Sequence, residues 1–251
     1  MDFTLAKYEE LLQSLLNADY SFQTFSEHIR APKERCVILR HDVDDKPSNS
    51  LKFAQIQHKH SIKGTYYFRC VPQSYDIAII KEIHHLKHEI GYHYEEMDIC
   101  KGNVQESLVL FQKNLNLLRQ IAPVVTICMH GSPRSKFDNK DLWENNKYTD
   151  YQVIGEPYFD LNFNKIGYLT DTGRRWNGEK YSVRDKVNSA FHFNYRTTND
   201  IIGAVLKNEL PNQMMFTFHP QRWNSNLLSW GKELIFQNTK NIIKRVIIKG
   251  S

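Results

Sequence analysis

A chain of 251 residues, 41% hydrophobic and 24% charged, has the make-up of a globular protein and the length for one α/β domain with a substantial core. Its 33 basic residues against 28 acidic ones leave a net charge of +5, spread along the chain instead of gathered in a stripe. That gives no support to nucleic-acid binding and leaves room for a cationic rim around an acidic sugar.

No segment has the apolar length a bilayer demands, and Met1-Asp2-Phe3-Thr4 lacks the basic start and apolar stretch of a secretory leader, so a cytoplasmic protein is expected. Cys36, Cys70, Cys100 and Cys128 form no CxxC pair and read as reduced thiols, mostly small core hydrophobes.

In chain order, Leu5, Tyr8, Leu11, Leu12, Leu15 and Leu16 recur at helical spacing and predict an amphipathic helix from about Thr4 to Asn17, within an N-terminal helical extension over 1–30. Strand and helix signals then alternate. Val37 to His41 reads as a strand before a helix near Ser48 to His58, and Gly64 to Arg69 as a strand before a helix near Asp76 to Leu86. Glu89 to Tyr94 is a third strand, followed by a long helix from about Val104 to Ile121 with Leu108, Phe111, Leu115 and Leu118 as its stripe. Val124 to Met129, Val153 to Gly155, Gly167 to Thr170 and Gln213 to Phe218 supply further strands. A C-terminal helix over 225–251 carries Leu234, Ile235, Ile242, Ile243, Val246 and Ile247 opposite a basic face. Strands separated by helices imply parallel pairing, so a single domain over 1–251 is expected, an α/β protein built as an open or incomplete (β/α) barrel with outer helices.

The apolar runs end in ionisable residues. Asp42 and Asp44 follow the first strand, His93 with Glu95 and Glu96 the third, His130 the next, Asp171 with Arg174 and Arg175 a later one, and His219 the last. Strand ends of α/β proteins are where side chains converge on a substrate. Asp42 and Asp44, two apart, point the same way on an extended strand, and two like charges held together call for a cation or a shared proton. A plainer reading also fits this segment, because Asp45-Lys46-Pro47-Ser48 resembles a helix start and the acids could serve as caps. A lone histidine beside a strand is more often a core or surface residue, but recurrence at successive strand ends argues for a site. His58, His60, His84, His85 and His88 fall at helix ends or on helical faces and read as surface residues. Trp176 and Trp223 either wall a pocket or stack on a sugar.

On Arg40-His41-Asp42-Val43-Asp44, Gly64-Thr65-Tyr66-Tyr67-Phe68, His88-Glu89-Ile90-Gly91-Tyr92-His93 and Phe216-Thr217-Phe218-His219-Pro220, the chain resembles the NodB-type polysaccharide deacetylases of carbohydrate esterase family 4. The resemblance runs from about Cys36 to Trp223. It implies a distorted (β/α) barrel of the NodB type and a metal-dependent hydrolase that removes an N-acetyl group from an amino sugar. Carried over by position, it makes Asp42 the catalytic base, Asp44 and His93 metal ligands, and His219 the general acid. Asp171 with Arg174 or Arg175 would orient the base.

One position departs from the pattern. The family's second histidine ligand is expected four residues after the first, where this chain has Met97, and a thioether is a poor ligand for a hard or borderline divalent ion. His130 is the first choice as replacement, since its imidazole suits zinc, with Glu96 and His219 as alternatives. The expected cofactor is therefore a divalent metal, zinc by preference, and the expected substrate an N-acetylated sugar in a cytoplasmic polysaccharide or glycoconjugate precursor. Met97 also motivates a second reading, a non-catalytic carbohydrate-binding descendant of the same barrel. A metal hydrolase of another amide or ester bond is a third.

Overall fold

The computed structural model describes residues 1–132, 135–176 and 187–249, with side chains described as far as 241. Helix α1 (Leu5–Asn17) starts at Thr4, whose hydroxyl accepts the Lys7 amide, and buries Tyr8, Leu11, Leu12 and Leu15. A short strand β1 (Ser21–Gln23) leads to α2 (Phe25–Arg30), opened by a capping box between Thr24 and Glu27. Strand β2 (Cys36–Val43) is buried from end to end, in keeping with its Val37-Ile38-Leu39 run. It passes into α3 (Pro47–Lys59), where Pro47 sits in the first turn and its missing N–H costs nothing.

Next come β3 (Thr65–Phe68), α4 (Ile77–His85), β4 (Glu89–Tyr94), the single turn α5 (Glu96–Ile99), α6 (Val104–Arg119) and β5 (Ile127–Met129). After the short α7 (Pro157–Asp160) the chain runs through β6 (Gly167–Thr170), α8 (Thr198–Leu206), β7 (Gln213–Phe218) and α9 (Leu227–Lys249).

These strands make one seven-stranded sheet in the order β5-β4-β3-β2-β7-β6, with β1 beside the start of β2, and all of the pairings are parallel. Alternation along the strands sorts side chains into two layers. Val37, Leu39, Val43, Tyr66, Phe68, Tyr92, Phe216 and Phe218 face the helices and form the main core, whereas Ile38, Tyr67, Cys128 and Met215 line the opposite face with Phe25 of α2 and Leu161, Phe163 and Ile166.

That second face is concave. In a flat sheet β5 would stand three strand spacings, roughly 14 Å, from β2, yet His130 just past β5 brings Nε2 to 3.8 Å from Asp44 just past β2. The sheet therefore curls into an incomplete barrel with helices outside it, floored by the apolar cluster around Phe25 and open at the carboxyl ends of the strands.

The strand expected at Val153 to Gly155 is reduced to one bridge between Thr126 and Gly155, because the segment meets the sheet at that point alone. The side-chain placements expected for Ile242, Ile243, Val246 and Ile247 lie outside the described residues. His88, expected on the surface, is buried: it sits under α3, where Nδ1 accepts the Gly64 amide at 3.2 Å and Nε2 lies 3.0 Å from the Ala54 carbonyl.

Candidate active site

Strand β2 sets the site out by simple alternation. Arg40, Asp42 and, past the strand end, Asp44 project from the concave face, while His41 and Val43 project outward into packing. His41 is buried against Tyr66, ring centroids 4.1 Å apart, with Nδ1 3.0 Å from the Thr65 carbonyl and Nε2 2.8 Å from Gln57. Burial pushes its pKa down to about 3, so it is a neutral packing residue.

Asp42 is gripped by Arg40. Nε donates to Oδ1 at 2.8 Å and Nη2 to Oδ2 at 2.6 Å, a two-point pair with both side chains almost wholly buried. Burial raises the Asp42 carboxyl, but the Arg40 guanidinium and His93 outweigh it and hold the pKa below the usual carboxylate range. The arginine that fixes the base is thus Arg40. Arg174 is elsewhere: its Nη1 donates to the Trp230 carbonyl at 3.0 Å and its guanidinium lies over the rings of Trp230 and Phe3. Arg175 is exposed.

Asp44 is the meeting point of imidazoles. His93 Nε2 lies 3.4 Å and His130 Nε2 3.8 Å from Oδ1, and His219 Nε2 lies 3.9 Å from Oδ2. Each ring has a polar neighbour at its other nitrogen, by hydrogen bond for His93 and His219 and by an ion-pair contact for His130. His93 Nδ1 donates to the Cys128 carbonyl at 2.9 Å, His130 Nδ1 lies 3.0 Å from Glu95 Oε2, and His219 Nδ1 lies 2.6 Å from Asp171 Oδ1. With Nδ1 engaged by an outer partner, Nε2 of each ring is turned toward Asp44, the arrangement by which outer partners orient metal-binding histidines. Burial raises the Asp44 carboxyl, yet the His93 hydrogen bond and the nearby His219 and His130 hold it well below its ordinary range.

Asp171 has a different partner from the one expected. It is fully buried and holds His219 through both ring and amide, with Trp223 Nε1 at 2.6 Å and Arg222 Nη1 at 3.0 Å as further donors. It therefore orients the candidate acid and not Asp42. Trp223 and Trp176 are both buried among Phe3 and Phe218, so they wall the site.

Asp44, His93 and His130 offer a carboxylate and two imidazoles, a donor set that suits zinc, with the two Nε2 atoms 3.4 and 3.8 Å from the same carboxylate oxygen. Among the described residues the grouping whose ligand atoms all lie within 4.8 Å of one another is a different one that shares His93, namely Asp42, His93 and Cys128. Both Asp42 oxygens already accept from Arg40, which favours the Asp44 set. Glu96 does not enter either group. Its carboxylate turns away to Tyr92 Oη and to Asn114 Nδ2 at 3.0 Å, where burial pushes its pKa up to about 7. Met97 is buried in the main core, away from the concave face.

No protein-family model and no curated protein matches the sequence. Among solved structures the chain is similar to family 4 carbohydrate esterases. A family 4 pseudoenzyme from Bacillus anthracis matches at 16% identity and a TM-score of 0.47, covering 85% of this chain and 62% of that one, so the chain spans less than two thirds of that neighbour. A family 4 carbohydrate esterase from Bacillus subtilis matches at 12% identity and a TM-score of 0.43, covering 92% and 83%. The family 4 domain of a multidomain xylanase from the hindgut metagenome of Trinervitermes trinervoides matches at 11% identity and a TM-score of 0.43, covering 82% and 84%.

Arg40 and Glu95 are the residues that sequence reasoning left without a role at the base and the third histidine. Arg40 was signalled by the Arg-x-Asp-x-Asp alternation, which puts all three side chains on one face of β2. Glu95 carries the same signal two residues after His93, and it also receives Arg69 at 2.9 and 2.7 Å.

Proposed function

We propose that the chain is a divergent NodB-type deacetylase: a metal-dependent hydrolase that removes the N-acetyl group from an amino sugar. The observation that supports this best is the convergence of His93, His130 and His219 on Asp44, each with a polar neighbour at Nδ1, beside an Asp42 held ionised by Arg40.

In this reading Asp44, His93 and His130 hold the cation, with His130 taking the place that Met97 leaves. A divalent metal bound there supplies a Lewis acid for the acetamide carbonyl and lowers the pKa of a water toward ~7. Asp42 would serve as the base that takes a proton from the attacking water, and Arg40 keeps the carboxylate charged and aimed. His219 donates a proton to the amine nitrogen as the carbon–nitrogen bond breaks, giving acetate and a free amino sugar. Asp171 aligns that ring through its Nδ1.

Acetate release from N-acetylhexosamine donors tests the reading. The metal-stripped protein is expected to be inactive, to recover with about one equivalent of zinc, and to lose both metal and activity in Asp44→Asn. Sugar binding that ignores chelators, with no acetate released from any donor, would assign the chain to the non-catalytic alternative. Release of formate or phosphate instead would reassign the bond.

A further inference from the structure

The concave site opens into a cleft of about 1130 Å³ whose walls carry more positive charge than the site uses. Lys46, Lys52, Arg69, Arg222, Lys232 and Lys240 line it, against Asp44, Asp45 and Glu233. Several of these charges are already balanced. Arg69 is paired with Glu95, Arg222 with Asp171, and Lys46 lies 3.8 Å from Glu233, a contact that ties the start of α3 to α9. Lys240 sits over the Phe236 ring, with Nζ 4.0 Å from its centroid. Asp44 belongs to the candidate metal centre. Lys52 from α3 and Lys232 from α9 remain, both exposed and neither in an ion pair among the described residues, and they outnumber Asp45, the one remaining acid of the lining.

Ammonium groups from separate helices that share one cleft make its potential positive and draw an anion into it. Lysine is a compact point charge that suits phosphate oxygens, and a cleft of this volume accommodates a sugar together with a phosphorylated substituent. We propose that the substrate is an acetamido sugar carried on a phosphate ester, with the acetamide at Asp44 and the phosphate against Lys52 and Lys232. This rests on the deacetylase reading, and it narrows the substrate class from any N-acetylated sugar to an anionic donor.

The experiment compares N-acetylglucosamine 1-phosphate, uridine diphosphate N-acetylglucosamine and a polyprenyl diphosphate N-acetylglucosamine in detergent with neutral diacetylchitobiose, on the zinc-loaded full chain. The expected KM for the phosphate donors is about 2- to 25-fold lower, since each of the two exposed charge contacts is worth up to about a fivefold factor. The advantage should shrink as salt rises from about 0.05 to about 0.5 M. In Lys52→Glu/Lys232→Glu the ratio of phosphate to neutral KM should rise to one or above, while Lys52→Arg/Lys232→Arg should keep it. Using a ratio removes any general loss of folded protein.

The two phosphate carriers separate a nucleotide from a lipid source. Calorimetric binding of N-acetylglucosamine 1-phosphate gives a readout that needs no turnover. Equal KM and equal binding for charged and neutral donors, or equal preference for the carboxylated N-acetylmuramic acid, would overturn the proposal. Absence of acetate from every donor would instead count against the deacetylase reading, and the calorimetry would still decide on the anion.

Discussion

Replacing Arg40 by Met removes one half of a pair whose members are 1% and 2% exposed, and it strands the Asp42 carboxylate in a low-dielectric setting, with His93 Nε2 3.8 Å away. Breaking a buried pair from one side costs about 3–5 kcal/mol, because the remaining charge has lost both its partner and its water. The pH dependence follows from the sign of the shift. In the native chain the folded pKa of Asp42 lies below its unfolded value, so the pair contributes stability above the unfolded pKa, and that contribution is lost as pH falls through the folded one. In Arg40→Met the folded value lies above the unfolded one, so the deficit is largest at neutral pH and shrinks as acid neutralises the carboxyl. Urea unfolding followed by tryptophan fluorescence, with chelator present and from about pH 4 to about pH 8, reads this directly. Adding Asp42→Asn to Arg40→Met should recover most of the loss at neutral pH, since no charge is then left buried. An Arg40→Met variant within about 1 kcal/mol of the parent across that range would refute the reasoning, as would a deficit that grows toward acid.

Glu95→Gln loosens the tether of His130, and metal affinity should fall about 10–100-fold in a zinc competition titration. His219→Ala should lower kcat with little change in metal content by elemental analysis, because its expected work is on the leaving amine. Gly91→Ala puts a methyl 2.4 Å from the Tyr67 ring carbons, so a loss of about 1–3 kcal/mol in unfolding free energy is expected unless that buried ring moves. His41 and His88, held down at about 3 and about 4 by burial, bind protons in the unfolded chain before the folded one. Stability is therefore full above ~6.5 and falls as acid is added, by about 2 kcal/mol for each ring on going to pH 5, and His41→Gln should flatten the urea midpoint against pH.

The strands that build the sheet could be read because each is a short apolar run that ends abruptly at a charge, and parallel pairing buries such runs on both faces. Asp42, Asp44, His93, His130 and His219 stood out for the same reason, as ionisable groups where burial ends. Their partners were harder to assign, because an ion pair is a matter of side-chain direction. Proximity in sequence pairs Arg174 with Asp171, yet Arg174 has a backbone φ of +57° and is carried away toward Trp230, while Asp171 stays under His219. Glu96 follows the same logic, since one turn of α5 points it into the pocket formed by Tyr92 and Asn114, whereas Glu95 before it faces the site. Strand β1 escaped notice because it spans only Ser21–Gln23, too short for alternation to register. His88 looked like a surface residue because its polar partners are backbone groups of Gly64 and Ala54, which no side-chain pattern announces.

The most direct trial of the account is a crystal of the full chain equilibrated with zinc and measured on either side of the zinc absorption edge. One anomalous peak is predicted at about 2.0–2.2 Å from an Asp44 oxygen and from Nε2 of both His93 and His130, with Asp42 still held by Arg40. A peak bound elsewhere, or none at all with the three side chains in place, would contradict it.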